Sequence, residues 1–134
     1  MRNLARAYML VALFWLVAGM GLGLWMGANE AGMTDVNSLR YRPVHITMIM
    51  LGFLLLAVYG VIYRLWPQLE MARYATLQFW LSTIGGLLMV IGTYIQVLGG
   101  SIVIDGIGSV SVFCGAVLLG FLFLTTPESI SAPS

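Results

Sequence analysis

Four runs of apolar residues, at about 8–28, 44–66, 77–98 and 102–124, divide almost the whole chain between them. Each reaches the roughly 20 residues that a helix rising 1.5 Å per residue needs to cross about 30 Å of hydrocarbon. In that medium a segment has to satisfy its own main-chain N–H and C=O groups, so such a run folds as a helix. The composition agrees: 60% of the 134 residues are hydrophobic and 8% are charged, where a soluble domain carries about a quarter charged residues. The expected fold is an all-α membrane protein with four transmembrane helices, one domain over residues 1–126, and a flexible tail at 127–134.

Arg2 and Arg6 precede the first run, as in a secretion signal, but the run is too long for a signal core and "WMGANE" offers no small-x-small cleavage site. It reads as a retained helix. Arg2, Arg6, Arg64 and Arg73 fall on one side of the membrane, whereas Arg40 and Arg42 share the other side with Glu30, Asp35 and Asp105. The positive-inside bias then puts both termini in the cytoplasm, and a bacterial inner membrane is the expected location. A net charge of +1 gives no argument for nucleic acid as a partner; membrane lipid is the expected surrounding. Cys114 is alone, so it forms no internal disulfide, and it is given no role.

Glycines mark where helices approach closely. Gly19, Gly23 and Gly27, spaced by four, leave a flat stripe that reads as a packing groove, and Gly85, Gly86 and Gly92 do the same in the third run. In the fourth, Asp105 is expected at the outer interface, with the helix proper beginning near Ile107. The polar stretch 29–43, "NEAGMTDVNSLRYRP", reads as an outer loop, with Pro43 suited to the first turn of the helix from Val44.

The chain contains no phosphate loop, no paired carboxylates within a span and no cysteine–histidine cluster of metal spacing. Pumping needs ionisable groups at membrane depth, and only His45 and Asp105 come near it. Thr47, Ser82, Thr83, Thr93, Ser109 and Ser111 do not align as a pore. His45, the single histidine, therefore attracts the functional question. Three readings compete: a neutral imidazole bonded to a carbonyl or water near the headgroups, an axial ligand to heme iron, and a pH sensor. For the second, Arg40 and Arg42 lie level with His45 to meet heme propionates, and Gly52, two helical turns further on, leaves room for a porphyrin or a neighbouring helix. Leu56, Tyr59 and Tyr63 continue that face, with Met48 and Ile49 beside it.

The stretch "LRYRPVHITMIMLGFLLLAVYGVIYRLWPQ" resembles the second transmembrane helix of the catalytic subunit of heme-copper oxidases, notably cbb-type cytochrome oxidases and nitric oxide reductases. The matching residues are Arg40, Arg42, Pro43, His45, Thr47, Gly52, Tyr59, Gly60, Tyr63 and Pro67, over about 30 positions. The resemblance implies that His45 is an axial ligand of a low-spin heme b, with its metal contact through that imidazole. It also implies four helices, bundle or arc, like one third of that subunit I, so that a homo-oligomer, a trimer above all, would rebuild the larger architecture.

The family's further histidines, for the second axial position, the high-spin heme and copper, are absent from this chain. Reduction of oxygen or nitric oxide by a binuclear centre is thereby excluded. The expected function is a cytochrome-like heme b protein for electron transfer with a redox partner, or for binding a diatomic gas. The alternative is a non-catalytic accessory or assembly subunit of a larger membrane complex, without its own cofactor.

Overall fold

The computed structural model describes residues 3–32 and 37–126. Arg2 and Asp35, used above for orientation, and the 127–134 tail lie outside the described residues. Among the described residues every regular element is helical. Four helices are long and apolar enough to cross a membrane: α1 (Leu4–Glu30), α2 (Ser38–Leu65), α3 (Ala75–Val97) and α4 (Val103–Thr125).

α1 begins before its apolar run because its first N–H groups find partners. Arg6 N–H donates to Asn3 Oδ1 at 3.0 Å, and Ala5 N–H donates to Glu70 Oε1 at 3.0 Å. These bonds relieve two of the four donors that every helix start leaves unsatisfied. Glu70 comes from the short 3₁₀ turn Pro67–Met71 that follows α2, so this cap also ties the start of α1 to the end of α2.

Three further boundaries differ from the sequence reading. α1 continues to Glu30, and α2 starts at Ser38 with a 3₁₀ turn over Ser38–Tyr41. Arg40 and Arg42 therefore belong to the helix, and the outer loop is shorter than 29–43. α4 starts at Val103, which puts Asp105 in its first turn instead of ahead of the helix. A carboxylate there meets the positive end of the helix dipole, which favours an earlier start than hydropathy suggests. The reversal before it uses Gly99 at φ +87°, a left-handed conformation that glycine adopts at little cost.

α2 is not uniform. An α-helical stretch over Arg42–Thr47 passes into π-helical turns over Met48–Leu55 and returns to α-helix over Leu56–Leu65. At the junction Thr47 Oγ donates back to Pro43 O at 3.0 Å, a bond that commonly bends a helix.

The helices stand in a row. α1 packs along α2, α2 meets α3, and α4 packs along α3 and scarcely elsewhere. α4 approaches the end of α2 where the Trp66 and Phe123 rings meet edge to face at 5.1 Å. The α3–α4 contact is made by main chain against main chain: a Cβ at Gly85 would lie 2.9 Å from Val112 N, and one at Gly108 would lie 2.7 Å from Met89 N. Ser111 Oγ also donates to Leu81 O at 2.8 Å across this seam.

The best-buried part of the molecule is the half nearer Arg6, Arg64 and Arg73. There Tyr8 lies between the rings of Tyr59, Tyr63 and Phe79, at centroid distances of 5.6, 5.7 and 4.8 Å. Gln78 Oε1 accepts from the hydroxyls of both Tyr8 and Tyr63, while its Nε2 donates to Ser82 Oγ at 3.1 Å. Gln78 and Ser82 are fully buried. Polar contacts between membrane helices average only about 0.6 kcal/mol, but stranding buried partners costs about 1–3 kcal/mol for each group. The stranding term dominates here, because Gln78→Leu removes the acceptor of the Tyr63 hydroxyl, while the Tyr8 and Ser82 hydroxyls retain each other. A loss of about 2 kcal/mol is expected in reversible unfolding in detergent, with Ser82→Ala costing less.

Candidate functional site around His45

His45 lies on the first α-helical turn pair of α2, half-buried against α1. Its Nδ1 is 2.8 Å from the main-chain oxygen of Gly19. A helical carbonyl is normally shielded by the side chain four residues on, since Cα–Cβ bonds tilt toward the helix N-terminus. The residue four on from Gly19 is Gly23. A Cβ on Gly23 would lie 2.9 Å from His45 Cε1 and 3.4 Å from Nδ1. The missing side chain is what admits the imidazole to the carbonyl.

The bond fixes the chemistry of the ring. A carbonyl oxygen only accepts, so Nδ1 carries a proton, and in the tautomer with that proton alone the lone pair is on Nε2. No hydrogen bond to Nε2 is found among the described residues. This is the state in which histidine binds a metal, its other nitrogen oriented by a main-chain acceptor. The structure thus answers why the one imidazole stands here: it is a peg seated in the α1 glycine stripe, presenting one free nitrogen.

The remaining predicted residues fall at different places. Arg40 donates to Val97 O at 2.7 Å and so ties the start of α2 to the end of α3. Its guanidinium carbon lies 5.7 Å from the Tyr41 ring centroid. Arg42 is exposed in the first α-helical turn. Both arginines are within one turn or two of His45 along α2. The room expected above Gly52 is taken by a side chain of the same chain: a Cβ on Gly52 would lie 2.5 Å from Cγ of Trp15, which is itself 6% exposed. The wider π-helical turns also break the 3.6-residue register that placed Gly52 directly beneath the imidazole.

Met48 lies with its Cβ 3.5 Å from where a Gly19 Cβ would be. With Leu22, Trp25, Tyr41, Val44 and Tyr94 it lines a separate cleft of about 390 Å³. Met50 is 53% exposed on the outside of the chain. Gly27, the third member of the glycine stripe, meets nothing within 4 Å of a built Cβ, so only Gly19 and Gly23 act as a seat. Among the described residues no three His, Cys, Asp or Glu side chains gather as a metal-binding group. Cys114 is exposed and free.

Sequence reasoning missed three participants. Gly19 and Gly23 stand out by spacing but read only as a packing groove, and Trp15 gives no signal that it fills the Gly52 gap. The π-helical stretch has no pattern in residue type. Comparison of the chain with protein families, with curated proteins and with solved structures finds no match.

The Gly23–His45 fit makes a direct prediction. Gly23→Ala should destabilise the protein, because the imidazole has to withdraw from Gly19 O. In a His45→Ala background the same change should cost almost nothing. A double-mutant cycle by detergent unfolding is expected to give a coupling of about 1–2 kcal/mol; additive effects would remove the peg-and-seat description.

Proposed function

We propose that this chain is a membrane-embedded heme b-binding protein in which His45 Nε2 serves as an axial ligand. The observation that carries the reading is the Nδ1–Gly19 O bond of 2.8 Å, which orients the ring and leaves Nε2 uncommitted among the described residues. Heme supplies one-electron redox chemistry or a site for a diatomic gas. The chain's part is to bind, orient and cover it.

The residues fit one side of such a group and not the other. His45 offers the nitrogen, and exposed Arg42, with the donors Arg40 has left beyond Val97 O, would meet the propionates. A ring lying over Gly52 would require Trp15 to swing away, so the group would sit on the outward side of His45. The chain has one histidine, so a second axial ligand from protein comes from another chain or from an exposed methionine such as Met50 of a neighbour. This makes a homo-oligomer, a trimer by the resemblance to heme-copper oxidase subunit I, part of the proposal. The open row of four helices is compatible with an arc that neighbours complete. Both termini on the cytoplasmic side of a bacterial inner membrane belong to the same reading, through Arg6, Arg64 and Arg73 at one end of the helices.

The second reading, an accessory subunit without a cofactor, is favoured by the same bond seen from the other side. A histidine that pegs α2 to α1 already has a structural occupation. The absorption spectrum of the purified protein in mild detergent, oxidised and dithionite-reduced, with and without carbon monoxide, separates the two. A Soret band with sharp reduced bands is expected, and a shift with carbon monoxide would assign gas binding over electron transfer. A colourless protein that takes up no added heme and copurifies with a larger membrane complex would reject the proposal in favour of the accessory role.

A further inference from the structure

At the end of the molecule opposite His45 a cleft of about 370 Å³ opens between the start of α1 and the end of α2. Arg6 and Arg64 stand at it with Asn3, above an apolar wall that includes Met9, Val61 and Leu65. Gly60 lets Met9 lie close against α2: the Met9 sulfur lies 2.9 Å from where its Cβ would be. Both arginines are exposed.

Neither arginine of this cleft is paired among the described residues. Among the described residues no carboxylate forms an ion pair with either arginine, and neither side chain makes a hydrogen bond or ring contact. The nearby carboxylate, Glu70, spends Oε1 on Ala5 N–H and is not part of the cleft's lining. Asn3 Oδ1 is engaged by Arg6 N–H, so its amide nitrogen is left as a donor. Cationic and amide donors thus stand at one level, where the helices leave the hydrocarbon, and exposed apolar side chains continue below them into it. Met9, Val61 and Leu65 are 42%, 47% and 63% exposed.

We infer that this cleft is a binding site for an anionic phospholipid, its phosphate held by Arg6, Arg64 and Asn3 and an acyl chain laid along Met9, Val61 and Leu65. Two arginines, unpaired among the described residues and standing at two adjacent helix ends, match a headgroup of net negative charge and give no such advantage to a zwitterionic one. The apolar wall below them matches the chain that a free phosphate lacks. The site is independent of His45 and of any cofactor.

The test uses the full chain in mild detergent, with retention of added phosphatidylglycerol read by native mass spectrometry beside phosphatidylcholine. Phosphatidylglycerol should be retained in preference. Arg6→Gln or Arg64→Gln should weaken retention about fivefold each, and the double variant about thirtyfold. Arg64→Lys should restore most of it, because charge near the headgroup carries the selectivity. Arg73→Gln, outside the cleft, should change nothing, and circular dichroism shows whether each variant is folded. Equal retention of the two lipids, or a folded double variant that retains phosphatidylglycerol undiminished, would overturn the assignment. So would inorganic phosphate displacing the lipid completely at millimolar concentration, since the acyl wall would then contribute nothing.

Discussion

On the proposed heme reading, replacing His45 with alanine should abolish any Soret absorption of the purified protein and leave its helix content unchanged. The two parts of the expectation rest on different magnitudes. The structural stake of the imidazole is one hydrogen bond to Gly19 O, worth about 1 kcal/mol net, and the Cε1 contact with Gly23. That is too little to unfold four helices whose best-buried cluster lies in the other half, around Tyr8 and Gln78. The cofactor stake is larger: loss of an outer-shell partner alone typically costs about 10–100-fold in metal affinity, and here the ligand itself goes. Arg42→Gln should keep the band while weakening heme retention, because a propionate contact positions the group without bonding its iron. A folded His45→Ala protein that keeps its full heme content would reject His45 as the ligand and send the search to exposed methionines.

The four spans were legible because hydrophobic length is a one-dimensional property. The buried face Leu56, Tyr59 and Tyr63 was legible too, since after Leu55 the helix is regular and the 3.6-residue spacing holds. What failed was whatever depends on a partner. The start of α1 depends on Glu70, which is 65 positions away from Ala5. The start of α2 depends on Arg40 reaching Val97 O, 57 positions away. The Gly52 gap depends on Trp15, a residue that any apolar helix face could carry. At His45 the sequence supplied both halves, an imidazole and a glycine stripe, but not the pairing, which needs the rotation of α1 against α2. The reading of a carbonyl-bonded imidazole is met at Nδ1, and the proposed ligand reading would use the other nitrogen of the same ring.

Gly92→Val should separate α4 from the rest of the protein without disturbing His45. A Cβ on Gly92 would lie 2.6 Å from Asp105 Cα and closer still to its main-chain nitrogen, so no side-chain rotamer can yield the space. Overpacking against movable side chains costs about 1–3 kcal/mol; against main chain the helices have to move apart. α4 has little else to hold it, since it packs along α3 and reaches α2 only near Trp66 and Phe123. The expected result is a loss of about 3 kcal/mol or more in detergent unfolding, with proteolysis appearing in the turn between α3 and α4. Gly86→Ala is the control, because its nearest neighbour is Leu51 O at an ordinary 3.9 Å, and its effect should stay within about 0.5 kcal/mol. The variant also divides the molecule by function. The pair α1–α2 carries His45, Gly19 and Gly23, and α4 touches none of them, so any Soret band should survive Gly92→Val. Loss of the band together with α4 would mean that the fourth helix completes the pocket, directly or by holding a neighbouring chain in place.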